Sequence, residues 1–169
     1  MKRILLPLLL QAAAYLPLAA QPSYAQQDEL LSTLYSVISG EAGEARDWGT
    51  FRELFLPEAR LAPSRAATDS TKGSYRVLSP EDYIRTSGKW LEENGFFEKE
   101  IHRSTQEYGS IAHVFSTYES YRSASGKEPF ARGINSIQLF HDGERWWILS
   151  IFWMGETAAH PIPKEYLPD

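Results

Sequence analysis

Apolar positions recur at steps of three and four over Gln26 to Ser39, where Leu30, Leu31, Leu34, Tyr35, Val37 and Ile38 form one stripe. That spacing predicts an amphipathic helix, with Asp28 and Glu29 in its first turn and Gly40 after its end. A second, short helix is expected behind Asp47, carrying Trp48, Phe51, Leu54 and Phe55, and stopped by Pro57. "ARLAP" and "SYRVL" read as short strands, separated by a polar surface loop, "SRAATDSTKG". "SPEDYIRTSGKWLEENG" predicts the best-marked helix. Ser79 is its N-cap, Pro80 suits the first turn, Asp82 completes a capping pattern and Gly95 ends it. Its inward stripe is Tyr83, Ile84, Ser87, Trp90 and Leu91.

From Phe96 the period changes to two. "FFEKEIHRSTQE", "IAHVFSTYESYR", "FARGINSIQLFH" and "ERWWILSIFWM" alternate as long strands, the last two joined at Asp142-Gly143, a strong hairpin signal. Helices first and a long-stranded meander after predict an α+β fold, with helices packed on one face of a curved antiparallel sheet. The tail, residues 156–169, holds three prolines and is expected to lie over the domain without regular structure.

Two features change this picture. The chain opens with Lys2 and Arg3, an apolar run, and Ser23-Tyr24-Ala25, the layout of a secretory signal peptide cleaved after Ala25. The expected organisation is therefore a leader (1–25), one domain (26–155) and the Pro-rich tail, in a periplasmic or secreted bacterial protein with no membrane association after cleavage. The 169 residues contain no cysteine and carry a formal net charge of −5. A thiol nucleophile and a cysteine-bound metal are excluded, and the acidic balance without a Lys/Arg cluster argues against nucleic acid.

"RDWGTFRELFLPEARL", "IAHVFSTYES", "RGINSIQLF" and "RWWILSIFW", in this order of elements, resemble the nuclear-transport-factor-2-like superfamily. Within it they are most similar to the SnoaL-like group, among its uncharacterised exported bacterial members. The resemblance spans about Leu30 to Gly155. It implies a cone: a sheet bent around a cavity, closed by the N-terminal helices on its concave face. It fixes no reaction, because the superfamily includes isomerases, dehydratases, cyclases and members with no known activity. The aspartate-plus-tyrosine set of its ketosteroid isomerases has no assigned counterpart in this chain.

A two-residue turn at Asp142-Gly143 would pair Leu139 with Trp146, Ile137 with Ile148, Asn135 with Ser150 and Gly133 with Phe152. That face is apolar with two polar groups in its middle, and is expected to line the cavity. Ile134, Ser136 and Gln138 beside Trp147, Leu149, Ile151 and Trp153 would form the outer face. A homodimer or the tail would cover that aromatic surface. On the preceding strand the row of small residues places Tyr118 inside. Candidate ligand-binding residues are Asn135, Ser150, Tyr118, Trp90 and Trp146. Candidate catalytic residues are Tyr118 as oxyanion donor and His102, or an unassigned acid, as general base, with Tyr118 and His102 each set against a plain structural role. Arg132 is expected in a salt bridge with Glu119 or Glu156. No metal site is expected, since no histidines have ligand spacing, and no cofactor. Three functions stay open. The first is an exported protein holding a small apolar molecule in the cone. The second is an isomerase, dehydratase or cyclase working by acid–base catalysis. The third is a non-catalytic dimerisation or partner-binding module.

Overall fold

The computed structural model describes residues 23–168. Of the leader expected over residues 1–25, residues 1–22 lie outside them. The elements are α1 (Gln27–Val37), α2 (Trp48–Glu53), β1 (Phe55–Arg65), β2 (Ser74–Tyr75), α3 (Pro80–Asn94), β3 (Phe97–Tyr108), β4 (Ile111–Tyr121), β5 (Ala131–His141), β6 (Trp146–Gly155) and a 3-10 turn, Lys164–Tyr166. Six strands form one sheet in the order β2-β1-β6-β5-β4-β3. The architecture is the expected α+β cone, with one addition. β1 is much longer than "ARLAP" suggested, begins across Pro57, and pairs parallel to β6 in an otherwise antiparallel sheet.

The caps follow the local sequence. Asp47 accepts from the Thr50 amide at 2.9 Å. Ser79 and Asp82 form a reciprocal capping box, and Gly95 ends α3 at φ 64°. The core lies between α1, α2 and the concave sheet face. Leu30, Leu31, Phe51, Leu54, Val114 and Ile137 are almost wholly buried there. Among the described residues, no helix is long and apolar enough to cross a membrane.

Tyr24, inside the expected cleavage motif, is 1% exposed. Its carbonyl accepts from the Trp146 amide at 2.9 Å. A protein beginning at Gln26 would lose this buried ring and its hydrogen bond.

Two β-bulges decide which side chains face the cavity. One falls between Glu100 and His102, leaving Ile101 unpaired, and the other between Ile148 and Ser150, leaving Leu149 unpaired. An extra residue inverts the alternation beyond it. The β5–β6 turn also spans four residues, Asp142 to Arg145, held by the Asp142 carboxylate accepting from the Glu144 and Arg145 amides at 2.8 and 2.9 Å. The pairs are therefore Leu139 with Ile148, Ile137 with Ile151, Asn135 with Trp153 and Ser136 with Phe152. Ile151 and Trp153 face inwards, whereas Ser150 and Phe152 face outwards, the reverse of the simple alternation.

The tail crosses part of the outer face. Thr117 donates to the Tyr166 carbonyl at 2.6 Å, and Phe115 meets the Tyr166 ring edge-on at 4.9 Å. The Arg132–Glu156 pair forms at 2.8 Å.

Candidate functional site

A cavity of about 300 Å³ opens between α3 and the concave face of the sheet. Its walls are mainly apolar and aromatic. Tyr83, Ser87, Trp90 and Leu91 contribute to it from α3, four of the five positions of that helix's inward stripe. The sheet supplies Glu98, Tyr118, Ser120, Asn135 and Trp153. Trp90 and Phe130 line the cavity and are also 43% and 44% exposed, so they mark its mouth.

Glu98 is the acid of this cavity. The bulge at Ile101 turns it inward, opposite Ser120. Ser120 donates to one carboxyl oxygen at 3.2 Å and Asn135 Nδ2 approaches the other at 3.4 Å. These two donors favour the charged form but only partly offset the desolvation. Although part of Glu98 is exposed, its carboxyl end is enclosed, and burial pushes its pKa up to about 7. The group therefore exists in both protonation states near neutral pH, as a general acid–base requires.

Tyr118 is 7% exposed and its hydroxyl lies over Gly133, where any Cβ would collide with it. Burial and the Glu98 charge push the phenols of Tyr118 and Tyr83 upwards, so both remain hydrogen-bond donors. Tyr83 is held by stacking on Phe51, with ring centroids 5.4 Å apart, and by an edge contact with Trp153 at 6.5 Å.

Behind Glu98 runs a buried chain of hydrogen bonds. Asn135 Nδ2 donates to the Tyr35 hydroxyl at 3.1 Å, and Tyr35 and Ser116 share a hydrogen bond of 2.6 Å. Ser116 donates to Glu100 at 2.5 Å, and Arg103 pins that carboxylate through contacts of 2.8 and 2.5 Å. The charges fix the direction. Ser116 spends its one proton on Glu100, so Tyr35 must donate to Ser116 and accept from Asn135. The Asn135 amide thus presents its NH2 group, not its oxygen, to Glu98.

The sequence candidates divide accordingly. Tyr118, Asn135 and Trp90 all line the cavity. Ser150 does not: beyond the Leu149 bulge it pairs with Gln138 on the outer face. Trp146 shares the concave side but sits at the far hairpin end, 7% exposed, with its ring 4.9 Å from that of His141. His102 pairs with Thr117, whose side chain faces the tail, so it stands on the outer face and cannot reach the cavity as a base. Glu98 and Tyr35 were not among the candidates. Glu98 sits in "FFEKE", where it reads as one more edge-strand charge. Tyr35 reads as part of the α1 core stripe. Among the described residues, no cluster of three or more His, Cys, Asp or Glu could hold a metal.

A curved sheet with helices packed on its concave face is the arrangement of the nuclear-transport-factor-2-like fold, and the chain has that fold. A protein of unknown function with a cystatin-like fold from Nostoc punctiforme superposes with a TM-score of 0.58 at 9% identity, covering 78% of this chain and 90% of that one. A nuclear-transport-factor-2-like protein of unknown function from Silicibacter pomeroyi gives 0.52 at 14% identity, over 77% and 92%. A proposed ketosteroid isomerase from Parabacteroides distasonis gives 0.50 at 14% identity, over 82% and 99%. No family model matches the sequence, and no curated relative matches it.

Proposed function

We propose that the cavity binds a small, largely apolar, carbonyl-bearing molecule and that Glu98 moves a proton on it, as an isomerase, dehydratase or cyclase does. The observation that carries this reading is Glu98 itself: one carboxyl, held near neutrality by burial, at the wall of an apolar cavity beside a phenol donor. Glu98 takes a proton from the carbon next to the carbonyl. The Tyr118 hydroxyl donates to the oxygen on which charge develops. An isomerase among the proposed activities of similar folds agrees with this chemistry. A cavity that is open, rather than filled, weighs against a purely structural module. The exported location read from residues 1–25 belongs to the same proposal.

The test is solvent-deuterium exchange into a β,γ-unsaturated cyclic ketone, followed by proton NMR. Glu98→Gln should slow enzyme-dependent exchange by about 10²–10⁴-fold. Exchange as fast in Glu98→Gln as in the unchanged protein would remove Glu98 from the chemistry.

We also propose that a second copy of the chain covers what the tail leaves open. Ile111, Phe140, Leu149 and Phe152 are 37–60% exposed, and Ile111, Phe140 and Trp147 are register partners across three strands. Sedimentation at micromolar concentration should show a dimer, weakened by Phe140→Glu. Trp153 is not the residue to change, since it faces the cavity. A monomer at that concentration would sink the dimer.

A further inference from the structure

Arg122 continues the inward row of β4. Ser116, Tyr118 and Ser120 alternate along that face, and Arg122 is the next position of the row, just past the strand end. Its guanidinium carbon lies 3.9 Å from the Phe130 ring centroid and 4.9 Å from that of Trp90. These are the two aromatic residues that mark the cavity mouth. Phe96 braces both, with centroids 6.3 Å from Trp90 and 6.2 Å from Phe130.

Stacking satisfies the faces of a guanidinium and leaves its N–H donors pointing outward in the plane. Among the described residues, Arg122 forms no ion pair and no side-chain hydrogen bond. The other arginines near the site are spent. Arg103 is held by Glu100 and Asp28, and Arg132 by Glu156. So a flat fork of donors, in contact with both aromatic rings, stands at the entrance of an apolar cavity, in a chain whose formal net charge is −5.

We propose that Arg122, resting against Trp90 and Phe130, binds the anionic end of the ligand, which makes the ligand an apolar molecule ending in a carboxylate. This rests on the reading of the cavity as a binding site and names its ligand class. The apolar body enters the cavity and the carboxylate stays at the mouth. The geometry suits that division. Ser120, which donates to Glu98, lies two residues inward, roughly 7 Å along the strand. The reacting part of the molecule and its charged end would therefore meet different residues. One guanidinium fork matches the two oxygens of one carboxylate, in a chain whose acidic balance disfavours the double charge of a phosphate group.

The test compares octanoate, octan-1-ol and octyl phosphate by calorimetric titration against the unchanged protein, Arg122→Gln and Arg122→Lys. Octanoate should bind about tenfold tighter than octan-1-ol, as one charge-assisted hydrogen-bond pair provides. Arg122→Gln should remove that advantage and leave octan-1-ol binding unchanged. Arg122→Lys should restore only part of it, because an ammonium lacks the planar fork. Equal binding of octanoate and octan-1-ol to the unchanged protein would overturn the proposal. So would equal weakening of both by Arg122→Gln, which would assign Arg122 to packing, and so would tighter binding of octyl phosphate than of octanoate. If none of the three binds, the cavity reading falls and this inference falls with it. If octanoate and octan-1-ol both bind and Arg122 makes no difference, this inference alone falls.

Discussion

Glu98→Gln should make the protein more stable at pH 8 and flatten its stability between pH 5 and 8. The folded protein raises the Glu98 pKa from 4.5 to about 7. A carboxyl raised on folding binds its proton more tightly in the native than in the unfolded state, so stability falls as pH rises. The contribution is fully present below about pH 4.5 and is lost progressively up to about pH 7. Over that window the loss approaches about 3 kcal/mol, an upper figure because water entering the cavity would relieve part of it. Asp82 and Asp142, lowered to about 2 by their hydrogen bonds, act in the opposite direction but only at more acid pH. Urea unfolding at several pH values would read the slope directly. A slope that persists in Glu98→Gln would show that some other group carries it.

Arg46→Ala should cost more than any surface change, about 3–5 kcal/mol, with Tm lower by roughly 10 °C or more. Arg46 is 6% exposed and, among the described residues, forms no salt bridge. Its guanidinium donates to the carbonyls of Ile38 at 3.1 Å, Gly40 at 2.8 Å, Glu44 at 2.5 Å and Leu91 at 2.9 Å. Ile38 caps the C-terminus of α1, and Leu91 lies in the last turns of α3. These are the carbonyls that a helix end leaves without partners, at the negative pole of its dipole. One cation thus joins two helix ends and the linker between α1 and α2. Removing it strands several carbonyls at once, each costing about 1–3 kcal/mol unless water replaces the donor. Thermal unfolding of Arg46→Ala within 2 °C of the unchanged protein would show that water does so at little cost. Arg46→Lys should recover only part of the loss, since three donors cannot reach four carbonyls in a fixed plane.

Signals local to a few residues were legible in the sequence. The α3 capping box, the Gly95 stop, the Asp47 cap and the four long strands of the meander all lie where their residues indicate, because caps and alternation depend on near neighbours. The cavity was half legible. Tyr118 and Asn135 follow from alternation, and Trp90 from helical spacing. Ser150 falls on the face opposite to the simple alternation for a physical reason, whereas His102 follows the plain β3–β4 register onto the outward alternation of Thr117, which strand adjacency alone does not reveal. A bulge has no reliable composition, and a single unpaired residue, Ile101 or Leu149, turns over the side chains on its far side from the hairpin turn. The same inversion carries Glu98 into the cavity and Trp153 with it. The length of β1 was also illegible. Pro57 argues for a break, and no short-range signal announces a parallel partner near the other end of the chain.

That parallel partner governs how the molecule must assemble. β3 to β6 are joined by turns and a short loop, so their contacts form cheaply between close neighbours in the chain. Phe55 and Ile148, by contrast, are register partners roughly ninety residues apart, and closing so long a loop costs more entropy and time. The meander should therefore fold first, and β1, together with the helices on either side of it, should dock last. Until it does, the hollow has walls on one side only. Substitutions at the β1–β6 seam, such as Leu61→Ala, should then speed unfolding while leaving the folding rate nearly unchanged.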